Sequence, residues 1–148
     1  MIFVDWDAYF LGFAEHAALK SKDTTKVGAV LVGPDREVRL TGFNGPPRGV
    51  ADTDDRFVRP TKYLFASHAE ANLVAFAARE GISTDGCTVY VTHSPCAACA
   101  RLLIQAGVRA VMVGHGRLNA AGDWDAELIA ALTMFREAGV KCEAVNLG

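Results

Sequence analysis

The chain has 148 residues, 51% hydrophobic and 22% charged, a balance that allows a packed core and excludes wholesale disorder. That length suits one domain spanning 1–148 and is too short for two ordinary ones. Fifteen Lys and Arg against seventeen Asp and Glu give a net charge of -2, which argues against a broad surface for a nucleic-acid polymer while leaving room for a local basic pocket.

Residues 7–20 are alanine-rich. Phe10, Ala14, Ala17 and Ala18 recur at helical spacing, and Asp5 or Asp7 can cap the first turn. The apolar run GAVLV within 27–32 reads as a strand. Gly33-Pro34-Asp35 is a turn signal, and a second strand near 37–43 completes a hairpin. Segment 44–60, NGPPRGVADTDDRFVRP, is the longest loop and reads as a binding loop or lid, or as a disordered segment.

A helix is expected over 68–79 with Leu73 in its buried stripe, then a strand over 87–92. A helix over 96–105, a strand over 108–113 and a helix over 123–138 follow. Leu128, Leu132 and Phe135 share one side of the last helix. Gly139 stops it, and 140–145 form a last strand. The order α-β-β-α-β-α-β-α-β predicts an α/β fold with helices on both faces of a sheet. Its last three strands connect through helices and should run mainly parallel.

No apolar run reaches the length of a membrane span, so no membrane partner is expected. Asp5 and Asp7 interrupt the apolar start MIFVDWDAYF, and no basic residues precede it, which argues against a signal peptide. Four cysteines, Cys87, Cys96, Cys99 and Cys142, are too sparse for a disulfide scaffold. The expected compartment is the cytoplasm.

The chemistry concentrates in two pieces, His68-Ala69-Glu70 and Pro95-Cys96-Ala97-Ala98-Cys99. Each stands where a helix should begin. One imidazole and two thiolates suit a catalytic zinc that keeps its fourth position for water. Cys96 and Cys99 can converge in the first turn of one helix, whose N-terminus favours thiolates. Glu70, two residues past His68, is better placed to carry protons than to be a fourth ligand. The order H-x-E then P-C-x-x-C is the pattern of zinc nucleobase deaminases.

Other readings of the same residues exist. A redox pair at Cys96 and Cys99 leaves His68 and Glu70 unexplained. A structural zinc would want a fourth protein ligand, for which His93 and His115 are candidates. A zinc-stabilised interaction module without activity has no use for Glu70. Cys87 and Cys142 read as buried strand residues, and His16 as a helix-surface or packed residue.

The sequence resembles the zinc-dependent cytidine and deoxycytidylate deaminase family, most of all its deoxycytidylate (dCMP) branch. The likeness runs from Trp6-Asp7-Ala8-Tyr9-Phe10 through Ser21-Lys22-Asp23 and Thr25-Lys26-Val27-Gly28-Ala29. It continues with Gly42-Phe43-Asn44-Gly45-Pro46-Pro47-Arg48-Gly49, His68-Ala69-Glu70-Ala71-Asn72, Tyr90-Val91-Thr92 and the zinc cysteines. It closes on Gln105-Ala106-Gly107-Val108 and Glu137-Ala138-Gly139-Val140.

The resemblance implies a three-layer α/β/α sandwich around a mixed five-stranded sheet. It implies one zinc ion on His68, Cys96 and Cys99, Glu70 as proton carrier, and Asn44 on the substrate's sugar side. The implied reaction is hydrolytic conversion of dCMP to dUMP with release of ammonia, in a homo-oligomer (dimer or hexamer). Cytidine, guanine or a 5-substituted dCMP are alternative substrates. For the phosphate, Arg48, Lys22 and Lys26 are the candidates near the expected loops. His93 should border the base or sugar, and Tyr63, Phe65 and Trp124 are candidates for an aromatic wall.

Some departures from the family pattern matter. Residues 44–67 contain no cysteine or histidine, so a second, structural zinc is not expected. The loop over 52–62 is shorter than in longer members, which argues against nucleotide regulation. The stretch Gly114-His115-Gly116-Arg117-Leu118-Asn119 matches no assignable pattern.

Overall fold

A computed structural model describes residues 3–114, 118 and 125–145. Helix α1 (Trp6–Ala18) starts where the sequence places it, because the Asp5 carboxylate accepts from the Ala8 N–H at 2.8 Å. Strands β1 (Gly28–Val32) and β2 (Val38–Phe43) form the expected antiparallel hairpin, with Gly28 opposite Phe43. After a 3-10 turn (Asp54–Phe57), a short helix α2 (Lys62–Phe65) leads to α3 (Ala69–Glu80). Then come β3 (Thr88–Val91), α4 (Ala97–Gln105), β4 (Ala110–Val113), α5 (Ala126–Ala138) and β5 (Lys141–Ala144).

The sheet order is β2-β1-β3-β4-β5. β1 pairs antiparallel with β2 and β3, whereas β3, β4 and β5 run parallel, so the sheet is mixed as expected. The parallel half follows from the helical crossovers α4 and α5. Gly139, in the left-handed region at φ 75°, ends α5.

Every residue of β1 is buried, and the period-2 alternation of a strand decides which layer each one feeds. Ala29 and Leu31 join Val89, Val91, Val111 and Val113 against Leu73 of α3, Leu103 of α4 and Phe135 of α5. Val30 and Val32 join Tyr90 and Met112 against Phe10, Leu11 and Ala14 of α1. The sheet thus lies between α1 on one face and α3, α4 and α5 on the other, a cytidine-deaminase-like α/β/α sandwich. Gly28 permits the closest approach of α1, since a Cβ there would collide with the Ala14 carbonyl oxygen and crowd the Ala18 nitrogen at 2.6 Å.

The loop over 44–60 is not without structure. Gly45 at its start pairs with Ser67, beyond α2, so the chain leaves β2 and returns to the same place before α3. Among the described residues no helix is long and apolar enough to cross a membrane. His115, Trp124 and most of the 114–119 stretch lie outside the described residues.

Candidate active site

The two chemical motifs occupy equivalent positions. His68 is the N-cap of α3 and Cys96 the N-cap of α4, both with extended backbone. Neither is a usual capping residue. The His68 side chain makes no capping bond, whereas Cys96 Sγ accepts from the Cys99 N–H at 3.4 Å. That contact and the positive end of α4 both favour a thiolate at Cys96.

The ligating atoms converge. His68 Nδ1 lies 3.4 Å from Cys96 Sγ and 3.4 Å from Cys99 Sγ, and all three atoms lie within 4.8 Å of one another. Zinc bonds of about 2.0 Å to nitrogen and 2.3 Å to sulfur, at tetrahedral angles, would set nitrogen and sulfur about 3.5 Å apart. The donor set therefore fits zinc in both chemistry and spacing. Its three-ligand composition matches catalytic sites, which keep a position open.

The groups polarise one another. Donation from the Cys99 thiol and from His68 pulls Cys96 down to about 3, against the opposing effect of burial. Cys99 is pushed up by its hydrogen bond to Cys96 and by burial. His68 is raised, first by its hydrogen bond to Cys96. Glu70, only 3% exposed in the first turn of α3, is raised to about 7 by burial in spite of the nearby His68. A carboxyl group balanced near neutrality can both accept and donate a proton.

A cavity of about 270 Å³ opens beside His68, Glu70 and Cys96. It sits at the carboxyl end of β3, where the segment holding His93 and Ser94 leads into α4. Asn44 and His93, both expected on the substrate side, line it. The Asn44 amide is engaged with backbone, accepting from the Val27 N–H and donating to the Thr25 carbonyl, each at 2.9 Å. It fixes the strip of chain before β1 that forms one cavity wall. His93 Nδ1 shares a 2.8 Å hydrogen bond with Thr92 Oγ1, which in turn accepts from the Gly28 N–H at 3.1 Å.

The structure does not bring the expected phosphate candidates to this cavity. Lys22 pairs at 2.6 Å with Asp52, and the hydrogen bond between them is the first reason its ammonium is raised. The Arg48 guanidinium stacks 4.7 Å above the Phe76 ring, in a separate groove against α3. Lys26 is not among the lining residues either. Of the aromatic candidates, Tyr63 lines the cavity, while Phe65 lies under Arg56 with 4.1 Å between guanidinium and ring centre. His16 is exposed and Cys87 is buried just before β3, whereas Cys142, on the edge strand β5, is only half-buried rather than buried as expected.

Residues the sequence did not single out complete the wall: Asp23, Lys62 and Arg59. Lys62 donates to Asp23 Oδ1 at 3.0 Å, with side chains 9% and 3% exposed. Asp23 also accepts from the Thr25 N–H at 2.9 Å and from the Thr24 hydroxyl at 3.3 Å. Burial pushes its carboxyl up, but the Thr25 N–H, Lys62 and Thr24 together outweigh that and hold it below the usual carboxylate range.

Comparison with known proteins agrees with this geometry. Residues 4–115 match the family model for the cytidine and deoxycytidylate deaminase zinc-binding region. The uncharacterized deaminase in the luxG 3′ region of Aliivibrio fischeri is 39% identical, over 92% of this chain and 90% of its own. The human (Homo sapiens) deoxycytidylate deaminase is 34% identical, over 93% of this chain and 78% of its own. The crystal structure of the cyanophage S-TIM5 dCMP deaminase in complex with dCMP and dUMP superposes with a TM-score of 0.76. Its identity is 25%, and the match covers 98% of this chain and all of that one. A His-Cys-Cys cluster of zinc spacing, a buried carboxyl beside it and a family match over both motifs converge: this chain belongs to the zinc-dependent cytidine and deoxycytidylate deaminase family.

Proposed function

We propose that the protein deaminates dCMP to dUMP, releasing ammonia. One observation carries the reading: the buried Glu70 and the His68 and Cys96 donors line one small cavity together with Lys62 and Arg59. The likeness to the S-TIM5 enzyme, a dCMP deaminase solved with dCMP and dUMP, supports the substrate. Bound by His68, Cys96 and Cys99, zinc would supply a water acidic enough to act near neutral pH.

The chain's own groups do the rest. Glu70 takes a proton from water and delivers it to N3 of the pyrimidine. The water oxygen bonds to C4, and Glu70 moves the remaining proton of that oxygen to the amino group, so that the C4–N bond breaks, ammonia leaves and the C4 carbonyl of dUMP forms. Burial keeps Glu70 out of bulk solvent, so its proton goes to the substrate. Asn44 and His93 border the sugar and base as parts of the wall. A cytoplasmic homo-oligomer belongs to the same proposal, and Phe3, Trp6 and Tyr9 expose apolar surface that suits it.

An ammonia-release screen on the zinc-loaded protein tests the reading. It covers dCMP, CMP, deoxycytidine, cytidine, guanine and a 5-substituted dCMP. Preference for dCMP is expected, and preference for an unphosphorylated base would refute it.

A further inference from the structure

Two cations reach the cavity, and they differ in kind. Lys62 is buried and tied to Asp23, which uses one of the three N–H groups of its ammonium. Arg59 lies three residues earlier, exposed at the cavity wall. Among the described residues its guanidinium makes no hydrogen bond or ion pair. The Tyr63 ring centre lies 5.9 Å from the guanidinium. A planar fork with every donor available, beside a buried ammonium, matches the oxygens of a phosphate monoester.

The carboxylates around the cavity do not compete for that fork. Asp23 is committed to Lys62, Thr25 and Thr24, and Glu70 is buried beside the His68 and Cys96 donors. Lys22 and Arg48 are turned to Asp52 and Phe76.

We infer that Arg59, supported by the Lys62–Asp23 pair, is the specificity-determining residue for the substrate's 5′-phosphate. This rests on the deaminase reading and deepens it. Glu70 and the zinc donors carry the chemistry, and Arg59 adds affinity for a nucleoside carrying a dianionic group. A nucleoside without the phosphate would leave Arg59 solvated and gain nothing from it.

The test compares kcat/KM on dCMP and on deoxycytidine for the parent, Arg59→Ala and Arg48→Ala. Arg59→Ala should lose roughly 10- to 100-fold on dCMP, chiefly through KM, as expected for losing charge-assisted hydrogen bonds to one anion. Its kcat/KM on deoxycytidine should stay at the parent value, and Arg48→Ala should match the parent on both. Arg59→Lys should recover part of the loss, because it restores the charge without the fork. Equal losses on both substrates, or a dCMP defect in Arg48→Ala in place of Arg59→Ala, would overturn the inference.

Calorimetric titration with dUMP supplies a readout that needs no turnover. Affinity should weaken in Arg59→Ala by a comparable factor, and unchanged affinity would overturn the assignment. Should the parent turn over neither substrate, the proposed reaction fails while the dUMP titration still decides the role of Arg59.

Discussion

Replacing Lys62 by Met tests how far the cavity wall depends on one ion pair. Met keeps much of the apolar stem and removes the charge, leaving the Asp23 carboxylate buried without its cation. Removing one partner of a buried pair costs about 3–5 kcal/mol, mostly as the penalty on the stranded charge. Here the Thr25 N–H at 2.9 Å and the Thr24 hydroxyl at 3.3 Å remain on Asp23, which points to the lower end, about 3 kcal/mol. For a chain of this length that corresponds to a fall in Tm of about 6–12 °C. Urea unfolding followed by circular dichroism, with the m-value unchanged, is the measurement. Adding Asp23→Asn to Lys62→Met should restore part of the loss, because an amide carries no stranded charge. A Lys62→Met protein within about 1 kcal/mol of the parent would show that water reaches the pair, and the argument from burial would fail.

Three other outcomes follow from the same structure. Glu70→Gln should keep its zinc, measured as metal per chain, because the three donors are elsewhere, yet lose roughly 100-fold or more in ammonia release; full activity would remove Glu70 from the chemistry. Gly28→Ala should cost about 1–3 kcal/mol in chemical denaturation, because the Ala14 carbonyl and the α1 backbone must move to admit a methyl group. The Asp23 carboxyl is held below its ordinary range in the fold, so its stabilisation is present above the unfolded value and lost as pH falls through the lower folded value. In acid unfolding below about pH 4, the parent should therefore lose stability more steeply than Asp23→Asn, and identical slopes would contradict the assigned ionisation.

The element order was legible because each long element carries its own periodicity. Phe10, Ala14, Ala17 and Ala18 mark one stripe of α1, and the unbroken run GAVLV marks a strand covered on both faces. The zinc cluster was legible because its donors sit in two short motifs with fixed internal spacing. The rest of the cavity was not. Helix α2 has four residues, too few for any period to show, yet it delivers Lys62 to the wall. The Asp23–Lys62 pair joins positions 39 residues apart, and nothing local to either signals the other. Lys22 and Arg48 stood near the right loops, but a loop cation faces whichever partner one turn of backbone offers. For these two the partners are Asp52 and the Phe76 ring.

The Asn44 amide ties the exit of β2 to the entrance of β1 through Thr25 and Val27, so the open end of the β1–β2 hairpin is closed by a side chain. The hairpin is thereby fastened at both ends. The fastening beside the cavity does not depend on the Gly33–Glu37 turn, which lies at the far end of the strands. That turn is the place where the chain can be lengthened, labelled or cut and rejoined with the reactive end left intact. Modularity of this kind lets a compact catalytic wall persist while the opposite rim of the sheet is free to change.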